Sequence, residues 1–169
     1  VAETYTVRRA RTDDVHFIQR VLEPLVEQRI LLGKELVVLY EAVQEFRIAE
    51  NEAGEPVGVG ALHVFWEDLG EVRTLAAAPG WRHRGVGHAL VEHLEKDARA
   101  LGLSRLFCLT FEVAFFERHG YRAVPEQIVT PVVYSELVRS TDDGVAEFLD
   151  LARVKQNTLG NTRMLKDLA

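Results

Sequence analysis

Gly80-Trp81-Arg82-His83-Arg84-Gly85-Val86-Gly87-His88-Ala89 sets an Arg-x-x-Gly-x-Gly turn between an apolar strand and an amphipathic helix. Upstream, Val72 to Ala78 reads as a short buried strand. Downstream, Val86, Leu90, Leu94, Ala98 and Leu101 recur at three- and four-residue spacing, one face of a helix that closes at Gly102. The turn therefore stands at a helix N-terminus. Glycines there let backbone approach a ligand, and free N–H groups with the positive end of the macrodipole attract phosphate oxygens, to which Arg82 and Arg84 add formal charge. The stretch is built to hold a pyrophosphate.

Two other phosphate loops fit less well. A dinucleotide fingerprint needs a third glycine where Leu90 stands, and an acidic residue after the next strand where Arg105-Leu106-Phe107 stands. A Walker loop ends in Gly-Lys-Ser/Thr, whereas this one ends in Gly87-His88.

Working outward, Thr4 to Ala10 alternates as a first strand, and Thr12 with Asp13 and Asp14 opens a helix whose core face runs from Val15 through Ile30. Gly33-Lys34 breaks it before a short helix at Leu36 to Val43. Glu45 to Glu50 and Val57 to Trp66 form a hairpin around Asn51 to Pro56, and Asp68-Leu69-Gly70 leads into the strand from Glu71. Arg105 to Phe111 is a strand, Val113 to His119 a helix and Tyr121 to Val124 a strand. The class is α/β (α+β), in one domain over 1–169, with 125–169 completing the sheet and the acceptor side.

Composition bounds the function. The chain has 169 residues, 47% hydrophobic and 27% charged, enough for one substantial core. A net charge of −6 argues against non-specific nucleic-acid binding. No signal peptide or apolar run of spanning length is read, so no membrane partner is expected. The single Cys108 excludes an internal disulfide and fits a reducing cytoplasm. His83, His88 and His93 recur every five residues and do not converge on one helix face, so no metal is expected.

Leu75-Ala76-Ala77-Ala78-Pro79-Gly80-Trp81 completes a pattern that resembles the acetyl-CoA motif of the GNAT N-acetyltransferases. The element order resembles that fold throughout, a mixed central sheet flanked by helices. Phe115-Phe116-Glu117-Arg118-His119-Gly120-Tyr121 matches the aromatic helix that follows the fifth strand in that family. The strand Glu71 to Leu75, the run Leu109 to Glu112, and the tail Gly144 to Leu151 through Lys155 to Met164 resemble the short, single-domain bacterial N-acetylglutamate synthases. The resemblance implies acetyl transfer from acetyl-CoA to the α-amine of L-glutamate or L-glutamine, for arginine biosynthesis. Acetylation of another amine, or acetyl-CoA sensing without turnover, are the alternatives.

An amino acid arrives as an ammonium and must lose a proton before it can attack a thioester. Glu71, at the entry to the strand beside the acetyl-CoA site, is the first candidate base and Glu112 the second. A backbone N–H near Leu75 or Ala76, freed by a bulge, would stabilise the oxyanion. Acetyl-CoA is expected on Leu75, Ala76, Ala77, Arg82, His83, Arg84, Gly85, Val86, Gly87 and His88. Phe116 stands where many family members carry the tyrosine that protonates the departing thiolate, which leaves Tyr121 and Cys108 as candidate acids. The acceptor's α-carboxylate calls for a cation: Arg73, which by strand alternation shares a face with Glu71 and Leu75, then Lys34, then Arg29. Thr110, with Asn157 and Asn161 on family resemblance, would meet the acceptor's side chain. A homodimer is the commonest closed assembly, and Ile128 to Val138 is the candidate interface.

Overall fold

Apolar side chains alternating along the central strands fill both faces of a seven-stranded sheet, and the helices cover them. The computed structural model describes residues 3–124, 128–149 and 160–168. In chain order the elements are β1 (Thr6–Arg9), α1 (Val15–Glu27), α2 (Leu36–Glu41), β2 (Phe46–Glu50), β3 (Pro56–Trp66), β4 (Leu69–Ala77), α3 (Val86–Leu101), β5 (Arg105–Thr110), α4 (Val113–Arg118), β6 (Arg122–Ala123), α5 (Pro131–Leu137), α6 (Asp143–Phe148) and β7 (Thr162–Asp167). The strands lie in the order β1-β2-β3-β4-β5-β7-β6. Neighbours are antiparallel except β4 and β5, which are parallel and joined through α3.

One face packs Val91, Leu94 and Ala98 of α3 and Phe116 of α4 against Leu62, Val72, Leu106 and Cys108. On the other, α1 and α2 cover Ile48, Val59, Ala61 and Ala76, while α5 and α6 cover Phe65, Phe107 and Leu165. Tyr121 belongs to the α3 face, where its hydroxyl donates to Glu95 at 3.1 Å, and Lys166 of β7 pairs with the same carboxylate at 2.8 Å. This part-buried bridge ties α3 to β7.

Three expectations are corrected. The first helix ends at Glu27, short of Ile30, because Arg29 turns left-handed (φ 59°) and the N–H groups of Ile30 and Leu31 both fold back to the Leu25 carbonyl. Its start is a 3₁₀ turn over Thr12–Asp14, in which the Asp14 carboxylate accepts from the Arg11 N–H at 2.7 Å and takes both guanidinium nitrogens of Arg8. Leu75 does not share a face with Glu71 and Arg73. Between the Ala61–Arg73 and Val59–Ala76 pairs, β4 has one residue more than β3, and that bulge puts Thr74 at φ 53°. Beyond it the alternation is inverted, so Leu75 packs under α3 with Val86, Leu90 and Leu94.

The α3 N-terminus is seated on β3 by a glycine. A Cβ on Gly58 would collide with Val86 Cγ1 and stand 3.2 Å from both the Ala76 carbonyl oxygen and Leu90 Cδ1. Gly58→Ala is therefore expected to destabilise the protein by about 1–3 kcal/mol through overpacking, read as a lower urea midpoint.

Candidate active site

The parallel pair β4 and β5 is registered only over Leu69–Glu71 and Arg105–Phe107, although β4 runs on to Ala77 and β5 to Thr110. Beyond Glu71 the two strands part, and the sheet carries a wedge whose β4 wall holds the bulge. At the end of β4, Gly80 (φ 84°), His83 (φ 61°) and Gly85 (φ 88°) wrap the chain into α3. Only glycine adopts such angles freely, and the left-handed Gly85 serves as the cap of α3 with no side chain bonded across its first N–H groups. Those donors, with the exposed Arg82 and Arg84, fit a diphosphate. Arg84 stacks 3.9 Å from the Trp81 ring and pairs with Glu3, while the Tyr5 hydroxyl donates to its carbonyl at 2.7 Å. The segment leading into β1 thus braces the turn. Gly87 faces Phe115, whose ring a Cβ would meet at 3.2 Å, and His88 lies 3.3 Å from His119 of the neighbouring helix end.

On the α1 and α6 side of β4 opens a pocket lined by Ile30, Leu31, Leu32 and Lys34 from the chain after α1, Glu71, Arg73 and Thr74 from β4, Leu109 from β5, and Gly144 and Glu147 from α6. Glu71 is 3% exposed, and Arg73 Nε donates to its Oε1 at 2.7 Å. The Arg73 fork is closed on Asp142, with Nη1 to Oδ1 at 3.0 Å and Nη2 to Oδ2 at 2.8 Å. Asp142 also caps α6 through the Val145 N–H, and His63 stands 3.9 Å from it and 2.9 Å from Glu45. A line of polar contacts therefore runs from Glu45 through His63, Asp142 and Arg73 to Glu71.

Burial pushes the Glu71 carboxyl up against the opposing pull of Arg73. Glu147 is pushed up to about 7, by burial and then by the charge of Glu71. Asp142 is also buried in part, yet the Arg73 fork holds it well below the usual carboxylate range. The arrangement keeps one carboxylate ionised as a brace and gives two others a basicity nearer neutrality, where a proton acceptor works best. Thr74 carries two local costs at this wall: a β-branched residue at positive φ, and a buried Oγ1 with no hydrogen-bond partner among the described residues.

The pocket thus brings together Glu71, Arg73 and Lys34 of the candidates read from sequence. Arg73 differs from expectation in what it does, because both ends of its guanidinium are engaged by carboxylates of the protein itself. Glu112 is exposed at the start of α4, off the pocket lining, and its N–H donates to the Thr110 hydroxyl at 2.8 Å. Thr110 is thereby a turn-forming residue. Tyr121 is 3% exposed with its hydroxyl on Glu95, and burial pushes both its phenol and the Cys108 thiol up, so both are weak acids enclosed in the core. Phe116 packs edge-on to Tyr121 in the same core. Asn161 Nδ2 lies 3.4 Å from Glu147 Oε2, and Asn157 falls outside the described residues. Arg29 terminates α1. Among the described residues no group of three or more His, Cys, Asp or Glu side chains could hold a metal, and no helix is long and apolar enough to cross a membrane.

Sequence reasoning missed Asp142, Glu147 and His63. Asp142 before the apolar run Val145 to Leu149 is a legible helix cap. Its partner lies 69 residues away on β4, and no local pattern marks that.

Asp142→Asn is expected to cost about 1–3 kcal/mol, because half of a largely buried charge pair is lost while Glu71 still engages Arg73. A depressed native pKa contributes stability that is present above the unfolded value of about 4 and lost as pH falls through the native one. The variant's denaturation midpoint should therefore depend less on pH than the wild type's below about pH 4.

A family model described as the acetyltransferase (GNAT) family matches residues 17–121. The amino-acid acetyltransferase of Mycobacterium tuberculosis is 54% identical over 161 residues, 94% of this chain and 92% of that protein. That of Neisseria meningitidis is 35% identical over 123 residues, 72% of this chain and 28% of that longer protein. Among solved structures, a Mycobacterium tuberculosis protein in complex with CoA superposes with a TM-score of 0.93 at 53% identity, covering 97% of this chain and 99% of that one. The N-acetylglutamate synthase of Neisseria gonorrhoeae, complexed with coenzyme A and N-acetyl-glutamate, superposes at 0.77 with 26% identity, over 98% of this chain and 35% of its own. The parted β4 and β5, the glycine turn onto α3 and these likenesses lead to one conclusion: the chain belongs to the acetyltransferase (GNAT) family.

Proposed function

We propose that the protein transfers the acetyl group of acetyl-CoA to the α-amine of L-glutamate or L-glutamine, the reaction that opens arginine biosynthesis. The observation that carries this reading is the buried Glu71, held by Arg73 at the point where β4 and β5 part. Family membership supports acetyl-CoA as the donor. The amino-acid acetyltransferases of Mycobacterium and Neisseria, as relatives, support an amino acid as the acceptor.

In this reading the diphosphate lies on the α3 N-terminus and the arm of CoA enters the wedge. Glu71 takes a proton from the acceptor's ammonium, and the freed amine attacks the thioester carbonyl. Backbone N–H groups around the Thr74 bulge, beyond the last β4–β5 pair, receive the developing oxyanion. The carbon–sulfur bond then breaks as the nitrogen gives up its second proton, which the departing sulfur takes up once free. A thiol of ordinary pKa, about 8.5, leaves as a thiolate without a strong acid, in keeping with Phe116, Tyr121 and Cys108 being closed in the core. Lys34, which lines the pocket, takes the role of α-carboxylate cation that sequence reasoning gave first to Arg73, and Arg73 becomes the residue that orients Glu71.

Val132, 73% exposed on α5, and Val138, 45% exposed just after it, support the 128–138 segment as the face of a homodimer. The buried free Cys108 suits a reducing cytoplasm.

Thiol release from acetyl-CoA tests the proposal. Turnover is expected with L-glutamate or L-glutamine, and its absence with both would overturn the acceptor assignment. Glu71→Gln should lower kcat by about 10²–10⁴-fold while CoA affinity is kept, because only the proton acceptor is removed. The acid limb of the wild-type kcat/KM profile should lie above the ordinary glutamate range near 4.3, in line with the raised Glu71 carboxyl.

A further inference from the structure

Thr74 departs from the norms of a sheet interior in two ways at once. It is a β-branched residue at φ 53°, and its Oγ1 is buried with no hydrogen-bond partner among the described residues. Each feature costs free energy, which the packing around β4 sustains. Polar atoms shut away from water are paired almost everywhere in folded proteins, and the exceptions call for a reason, a catalytic role among them.

The place of the residue narrows what the partner is. Thr74 is 6% exposed and lines the pocket beside Glu71 and Arg73, at the bulge beyond the last β4–β5 pair. In regular register residue 74 would face α3 with Val72, so the bulge is what brings it to this side of the sheet. The acceptor's nitrogen has protons to give, and the carboxylates of Glu71 and Glu147 in the lining suit it. The thioester oxygen gains negative charge as the nitrogen adds, and it calls for donors. The backbone N–H groups of the bulge are such donors. The Thr74 hydroxyl is carried on the same residue as one of them, so a single oxygen atom can accept from both.

We infer that the Thr74 hydroxyl is a catalytic donor to the thioester carbonyl oxygen, adding a side chain to the backbone N–H groups at the bulge. The inference rests on the acetyl-transfer reading and deepens it. As the carbon–nitrogen bond forms, the π electrons of the carbonyl move onto oxygen and the hydroxyl bonds to the charge that develops there. When the carbon–sulfur bond breaks, the carbonyl re-forms. The threonine proton stays on its own oxygen throughout.

The test is steady-state thiol release from acetyl-CoA, with L-glutamate and with L-glutamine, by the wild type, Thr74→Val, Thr74→Ala and Thr74→Ser, alongside the affinity of each for CoA. Thr74→Val keeps the shape and loses the hydroxyl. Its kcat and kcat/KM should fall together by about 10²-fold, with CoA affinity and the acceptor's KM held, since the bond is made in the transition state. Thr74→Ala and Thr74→Ser differ in the hydroxyl alone, and the serine enzyme should be the faster by about tenfold or more; this pair decides the matter should the valine variant not fold. Wild-type turnover by Thr74→Val, a loss confined to the acceptor's KM, or a serine enzyme as slow as the alanine one would each overturn the donor role, with acetyl transfer intact. No turnover of either amino acid by the wild type would overturn the acceptor reading, and this inference with it.

Discussion

A threonine held at φ 53° in the middle of a sheet is the constraint on which the site depends. A strand in regular register would place residues 71, 73 and 75 on one face and keep its backbone groups parallel to β5. The extra residue at Thr74 does neither. It inverts the alternation, so that Leu75 turns into the α3 core while Thr74 joins Glu71 and Arg73 at the pocket. It also lies where β4 leaves β5. The cost of a β-branched residue in the left-handed region, with a buried hydroxyl lacking a described partner, is sustained by packing on both sides of the strand: Val72 and Leu75 under α3, Ala76 under α1.

Charge is organised around that bend. Asp142, from a helix cap, takes the fork of Arg73, and Arg73 in turn holds Glu71 by its remaining nitrogen. A guanidinium shared between two carboxylates leaves one of them strongly ionised and the other short of full compensation for its burial. The latter, Glu71, stands at the meeting point of pocket and wedge. Glu147 across the cavity raises the local negative charge and is itself raised by it.

The turn onto α3 follows different physics. The donors it offers are backbone, with glycines at left-handed angles and uncapped N–H groups at the head of a sixteen-residue helix. Gly58 lets that helix sit close to β3, and Glu3, Tyr5 and Trp81 brace the turn from outside.

The turn at Gly80 to Gly87, the amphipathic run of α3 and the alternation of β2 through β4 are local patterns, and the sequence by itself determined them: spacing of apolar residues and placement of glycine act over a few positions. The place of Glu71 near the start of β4 was likewise legible, since it is a property of order along the chain. Only the tertiary structure decided that Arg73 binds Asp142 rather than standing open, that Tyr121 turns to Glu95, and that Glu147 reaches the pocket. Each depends on a partner tens of residues away, chosen by which face of the sheet a helix covers. The bulge lies between the two. Its place near Leu75 could be anticipated, but its inversion of Leu75 could not, because a single-residue slip leaves no mark on composition and reverses every side chain beyond it.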